Sequence, residues 1–442
     1  MIPTPLARAV AFATASTCLT LPTLAQAEFI KDSKASLELR NFYMNRDFRQ
    51  DNDPALPTVT GKTPAESRSK SEEWAQGFLL RYESGFTEGT VGVGVDAIGT
   101  LGVKLDSGRG ESGTGLLQVD RDTGEAQDSY GDLGATAKLR VSQTVLKAGT
   151  LMPKLPVVLS NDSRLLPQSF QGGQVNSLDI AGMTIDAGQL SRVNQRDSSD
   201  HEVMTLTSGT GSTLKARGFT GLSGAGLGSD EFNFAGASYK WNDQLTTSYH
   251  YGNLDQYYNQ HYLNAVHVMP LADKQSLKTD LRYARSTDDG QTNVDNTAIG
   301  AMFTYALGFH SLGLGYQKMS GDTGFAYING TDAFLTNFVQ IGDFAFKDEK
   351  SWQARYDYNF AGLGIPGLTF MTRYVNGDNI DQGVAGASEG KEWERDTDIA
   401  YVIQDGPLKN VGFKLRNATV RSNFGNDLDE NRFIVSYMLP LW

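Results

Sequence analysis

Near the C-terminal end, the stretch NVGFKLRNATVR (410–421) sets Lys414 and Arg416 two residues apart, with Phe413 and Leu415 flanking the lysine. Side chains alternate across an extended strand, so one face of this segment is apolar and the other cationic. Arg432 follows in NRFIVSYMLPLW, just before Phe433. At the opposite end of the chain, SLELRNFYMNR (36–46) carries Arg40 and Arg46 on the face away from Leu37, Leu39 and Tyr43. A guanidinium offers a planar fork of N–H donors that matches a carboxylate, and an ammonium adds a compact point charge. Five such groups brought to one wall would make an electrostatic track for anions. The plainer alternative is that each one neutralises a nearby acid, for which Glu38, Glu83 and Asp96 are at hand.

Other chemistry finds little support. The five histidines (His201, His250, His261, His267 and His310) are scattered, and no G-x-S-x-G occurs. The three in 250–267 sit among tyrosines without metal-ligand spacing and read as part of an interfacial aromatic girdle. GLGIPG (362–367) matches a dinucleotide-loop string, but it is a Pro-bearing turn with no helix after it. The expectation is no catalytic residue, no metal and no cofactor. A formal net charge of -12 argues against a nucleic-acid partner.

The elements that must position the cations are strands. Stretches of about ten residues with period-two alternation run through the chain. EWAQGFLLRYES (73–84) sets Trp74, Phe78, Leu80 and Tyr82 against Arg81 and Glu83, and GATAKLRVSQT (134–144) sets Ala137, Leu139 and Val141 against Lys138 and Arg140. TVGVGVDAIGTLGV (90–103) follows the same rule, and similar patterns appear near 178–190, 213–220, 231–240, 244–254, 260–270, 275–286, 297–307, 310–319, 351–360, 367–375, 396–404, 410–420 and 431–441. Short turns (240–244, 269–274, 307–310, 361–367, 404–410) contrast with long polar loops (47–72, 104–132, 191–204, 320–350, 376–395, 421–430). Short connections at one end and long ones at the other are the signature of a bacterial outer-membrane barrel. The predicted fold is all-β: a closed antiparallel transmembrane β-barrel of about 18 strands, in the outer membrane of a Gram-negative bacterium.

The N-terminus fits export. Residues 1–27 read as a signal peptide with Arg8 as its charge and Ala25-Gln26-Ala27 as its cleavage site, which leaves 28–442 as the barrel and removes the lone Cys18. The final strand ends in Trp442, which is similar to the sorting signal read by the barrel-assembly machinery. Partners expected on these grounds are that machinery, outer-membrane lipid and lipopolysaccharide.

In a barrel of this kind the sheet is inside out. Lysine or arginine on the lipid face costs roughly 2–4 kcal/mol at mid-membrane, so Phe413 and Leu415 face lipid while Lys414 and Arg416 face the lumen. The same parity sends Arg40, Arg46, Arg81, Lys138, Arg140, Arg355 and Arg432 inward, and leaves Arg373 ambiguous. First and last strands are neighbours once the barrel closes, so Arg40, Arg46, Lys414, Arg416 and Arg432 share a wall. The segment KAGTLMPKLPVVLSNDSRLLPQSFQGG (147–173) breaks the alternation and is too apolar to wave in water. It is expected to fold into the barrel and narrow the pore with Arg164 as its charged tip, unless Arg164 pins the loop to an acid. Residues 320–350 are expected to form a second inward loop.

The stretches LRNFYMNRD, WAQGFLLRYESGFTEGTVGVGVDAIGTLGVKLD, SRLLPQ, YQKMSGD, KSWQARYDYN and GIPGLTFMTRYVNG resemble the OprD family of substrate-specific outer-membrane channels over most of the chain. The resemblance implies an 18-stranded barrel, monomeric or loosely trimeric, with inward loops and a lumen ladder of basic residues that guides carboxylates. Carried over, the ladder falls on Arg46, Lys414, Arg416 and Arg432. One family ladder lysine is Ala400 here, in DIAYVIQ. The pocket opposite the ladder keeps Asp343 in TDAFLTNFVQIGDF but carries Phe338 and Ile341 at positions polar elsewhere. A less polar pocket suits a ring. The resemblance therefore implies a channel for small carboxylates, nearer the branch for cyclic or aromatic acids such as benzoate or vanillate. A channel for basic amino acids and small peptides is the alternative, ahead of a barrel enzyme or a surface adhesin.

Overall fold

A computed structural model describes residues 29–49, 69–108, 110–120, 122–207, 215–220, 228–425 and 427–442. The signal peptide with Cys18 and most of the 47–72 loop lie outside the described residues. The first six barrel strands are β1 (Lys34–Phe48), β2 (Lys70–Glu83), β3 (Val91–Asp106), β4 (Ser129–Val141), β5 (Thr144–Leu151) and β6 (Ser169–Ser177). The next six are β7 (Met183–Asn194), β8 (Phe232–Lys240), β9 (Leu245–Leu254), β10 (Tyr258–Ala272), β11 (Gln275–Asp288) and β12 (Asp295–Leu307). β13 (His310–Ser320), β14 (Lys350–Asn359), β15 (Leu368–Ile380), β16 (Gly390–Val402), β17 (Gly412–Ser422) and β18 (Leu428–Pro440) complete the set. Each is antiparallel to the next, and β18 pairs with β1 from Ser36↔Pro440 to Phe48↔Leu428. Closure leaves no sheet edge to aggregate.

Exposure confirms the inverted polarity. Leu312 and Leu314 are 52% and 65% exposed on the outer surface, whereas Arg432 is 1% and Glu430 and Asp396 are 0% exposed inside. Trp352, Tyr374 and Trp393 sit on consecutive strands with ring centroids 5.7 and 5.6 Å apart, as an aromatic girdle at the loop end. Arg373 resolves inward, its Nε 2.6 Å from Asp396.

Two elements differ from the sequence reading. Of residues 213–220, read as a strand, the described part, 215–220, forms none: Lys215–Arg217 is a helical turn that buries Ala216 and Arg217. Conversely, the segment read as 147–173 begins and ends in barrel strands, β5 and β6. The alternation fails there because Gly149, at φ 134°, breaks the pleat, after which Thr150 and Leu151 are both buried. Glycines 172 and 173 in β6 add no apolar side chain to the lipid face.

Several loops fold into the lumen. In 152–168, Leu155, Val157 and Val158 pack with Phe170, Leu190 and Phe232, while Leu165 and Leu166 pack with Leu116 and Leu117 of the β3–β4 loop and with Phe42 and Met44 of β1. Fully burying each such side chain contributes about 1.5–3 kcal/mol. In 321–349, Phe325, Ile328, Leu335 and Phe344 are buried, and Asp332 N donates to Leu159 O at 2.9 Å, joining the two loops. The GLGIPG string begins at the end of a 3-10 turn, Phe360–Leu363, which is closed by Gly364 at φ 81° and leads directly into β15.

Candidate functional site: the constricted lumen

Register places the ladder cations in height. Arg416 and Arg432 are direct partners across β17 and β18, Lys414 is one inward position nearer the turn end, and Arg46, opposite Glu430, is one nearer the loop end. Successive inward positions lie about 6.7 Å apart along a strand, so the cations occupy three levels separated by two steps of that size.

None of the four is bare. Arg46 Nε donates to Glu430 at 2.7 Å and Arg432 Nε to the other Glu430 oxygen at 2.6 Å. Arg416 Nε reaches both Asp398 oxygens at 3.0 and 3.1 Å, and Lys414 Nζ lies 3.2 Å from Asp398. Two carboxylates thus serve four cations, a formal surplus of two positive charges (4 − 2). Arg432 also donates to Ser163 O at 3.4 Å and to Gln340 O at 3.3 Å, so one guanidinium touches both inward loops.

Arg40 does not join them. It pairs with Glu38 at 2.7 Å and Asp162 at 2.8 Å and donates to Arg164 O at 2.7 Å, fastening the base of the 152–168 loop. It lines none of the lumenal cavities. Parity gave its face correctly, but Asp162 and the loop carbonyls occupy its donors. Acid pairing also accounts for Arg81, on Glu38, and Lys138, on Asp96.

A cavity of about 640 Å³ lies between the two loops and the β17–β18 wall. Arg46, Arg164, Arg416, Arg432, Phe338, Ile341 and Asp343 all line it. Arg164 is buried, with its guanidinium on Ser163 O, Ser163 Oγ and Thr114 O and with no carboxylate partner among the described residues. Arg196 shares Ser163 Oγ at 3.2 Å and likewise forms no salt bridge among them. Burial pushes the Arg164 guanidinium well below its ordinary value, and the charges of Arg432, Arg196 and Arg46 push the same way. Asp332, opposite, is pushed up to about 6 by burial, against the pull of Arg196 and Arg164.

Among the described residues, only one oxygen of Asp343, Oδ2, is engaged. It accepts a short hydrogen bond from Arg217 and another from Tyr327 Oη at 2.7 Å. Arg217 is buried over the Phe346 ring, 5.1 Å from its centroid. Ile341 N and Gly342 N donate to the buried Glu394 carboxylate at 3.0 and 2.6 Å, which pins this loop to the wall. Lys414 lines a different cavity of about 520 Å³ towards the turn end, with Ala400 directly across the strand pair.

Sequence reasoning missed Ser163, Arg196, Arg217, Asp332 and Gln340. All lie in irregular segments, where period two assigns no face. Glu430 was within reach, since it sits two residues before Arg432 on the same face.

A closed, lipid-faced barrel whose lumen is narrowed by inward loops and lined with charge is a membrane channel. The chain belongs to the OprD family of outer-membrane porins, whose sequence profile, described as "outer membrane porin, OprD family", matches residues 27–441. It is 38% identical to the porin-like protein GalP of Pseudomonas putida over 429 residues, 95% of each chain. Among solved structures it is similar to OpdQ of Pseudomonas aeruginosa, at 66% identity and TM-score 0.83, covering 94% of this chain and 100% of that one. OpdK of the same organism, solved with vanillate, matches at 38% identity and TM-score 0.82 over 94% of this chain and 100% of its own. The protein is therefore an outer-membrane porin of the Gram-negative type, a channel for passive solute passage rather than an enzyme.

Proposed function

We propose that this porin takes up small carboxylates, chiefly those with a cyclic or aromatic body such as benzoate- or vanillate-like acids. The observation that carries this reading is the pair Arg164 and Arg196, guanidiniums without a salt-bridge partner among the described residues, in a cavity that also presents Phe338 and Ile341. A carboxylate supplies the acceptor those forks lack, and a ring meets the apolar side chains. The ladder of Arg46, Arg416, Arg432 and Lys414 acts as a field of modest surplus charge rather than as bare hooks. That surplus draws anions along the wall without holding them long. The vanillate bound in the OpdK structure is of the same chemical class.

The alternative cargo, a basic amino acid or small peptide, needs an acid free to receive its cation. Asp343 is the candidate, and Arg217 already neutralises its charge, with Arg217 and Tyr327 both bonded to its Oδ2. Uptake of labelled benzoate and labelled arginine into porin-poor outer-membrane vesicles, with and without the protein, tests the choice. Faster benzoate is expected. Faster arginine would overturn the cargo assignment, and acceleration of neither would overturn the carboxylate reading itself.

A further inference from the structure

A third cavity, of about 570 Å³, lies between the β11–β15 wall and the underside of the 321–349 loop, and shares Ser311, Arg355 and Asp357 with the cavity that Lys414 lines. Its lining carries four cations, Lys278, Arg282, Arg355 and Arg373, against two acids, Asp280 and Asp357. Lys278 is exposed to the lumen and forms no salt bridge among the described residues. Arg355 is paired side-on with Asp357, at 2.7 Å for both contacts. Arg282 is spent on structure, since it binds Asp280 and donates to Leu335 O at 2.9 Å.

The register sets Lys278 and Arg355 in line across three strand pairs. Lys278 pairs with Thr304, Thr304 with Gly313, and Gly313 with Arg355. Three strand spacings make about 14 Å between their backbones, within the joint reach of two long side chains around a small anion. Gly313 keeps the floor between them open: a Cβ there would come 2.5 Å from Met302 Cε and 3.3 Å from Arg355 Cβ. Met302, Leu335 and Phe338 supply an apolar side, and Phe338 lines both this cavity and the one on the ladder side.

We propose that this cavity is a second carboxylate station, on the periplasmic side of the constriction. Lys278 and Arg355 take the carboxylate, and Met302, Leu335 and Phe338 take the apolar body of the cargo. The proposal rests on the carboxylate reading above and adds a place for the solute after it passes Phe338. Passage through a selective pore requires binding that is spread over several weak sites, and this cavity adds one beyond the ladder cations.

The test is block of ion current by benzoate in planar bilayers holding the full-length porin, with benzoate added from the loop side or the turn side. Wild type is expected to be blocked from both sides. Lys278→Gln should weaken turn-side block about fivefold, the span of an exposed ion pair, and Lys278→Arg should restore it. Heat-modifiable migration in gels shows that each variant is a folded barrel. Turn-side block that is the same in wild type, Lys278→Gln and Arg355→Gln would overturn the second station while leaving the carboxylate channel standing. Absence of block from either side in wild type would overturn both.

Discussion

Replacing Arg164 by glutamine isolates the charge on which the proposed carboxylate recognition would depend. The Arg164 side chain bonds only to Ser163 and to Thr114 O among the described residues, contacts that a glutamine amide can in part remake. The loop keeps its anchor, because Arg40 holds the Arg164 carbonyl rather than its side chain. Three neighbouring guanidiniums, Arg432, Arg196 and Arg46, repel the Arg164 charge, while Glu430, Asp197 and Asp332 attract it, so removing it relieves repulsion among the cations and leaves those acids to the remaining ones. What is lost is one charge-assisted hydrogen bond to the cargo, about 1.5–3 kcal/mol. At about 1.4 kcal/mol per decade, benzoate affinity falls roughly tenfold to a hundredfold, with the lower end expected in a wet lumen. The assay is loop-side benzoate block of single-channel current, with Arg164→Lys as a charge-preserving control. An unchanged blocking constant in Arg164→Gln, at wild-type conductance, would refute the assignment of the outer cavity as a carboxylate site.

The double variant Lys414→Ala with Arg416→Ala should lower carboxylate flux while leaving small-ion conductance mostly intact. It also strips Asp398 of both partners, so reversal potentials in a salt gradient should shift towards cation selectivity. Asp332 gives a pH signature. Its carboxyl titrates at about 6, so above that pH it is ionised and offsets Arg164 and Arg196, and below it is neutral. Benzoate, an acid of ordinary pKa near about 4, stays ionised between about pH 7 and about pH 5, so its block should strengthen as pH falls across that span. Asp332→Asn should flatten the profile, and a benzoate block that still strengthens in that variant would reassign the titration elsewhere. Arg217→Met leaves the Asp343 carboxylate buried without its cation, at a cost of about 3–5 kcal/mol. The expected outcome is faster proteolysis within 321–349 in the inserted barrel, measured by fragment mapping.

Membrane parity was legible because lipid imposes a strict penalty: every strand with a cation on one face had to show hydrophobic residues on the other. Arg46, Arg355, Lys414, Arg416 and Arg432 all face as that rule requires. The strand count came out near eighteen through compensating errors. TLKARGFT (213–220) alternates by accident and is partly a helical turn, while β5 and β6 were hidden by Gly149, Ala148 and Gly173, which put no large side chain towards lipid. Pairing was less legible than facing. Asp398 meets Arg416 only through the β16–β17 register, which alternation does not specify. The residues that set the outer cavity, Arg196 and Arg217, lie where the chain is irregular and their partners are more than 100 positions away in several cases, as with Arg217 and Asp343.

Arg432 ties Ser163 of one loop and Gln340 of the other to a single guanidinium on the barrel wall. The aperture is thus one inherited unit rather than two. A chimera that receives only the 321–349 segment from a relative brings in a carbonyl that must meet an arginine already set by the resident 152–168 loop. Transplanting both segments together with the arginine carries the whole clasp. Diversification of cargo in such channels is therefore expected to proceed by paired change in the two loops, with the arginine held constant beneath them.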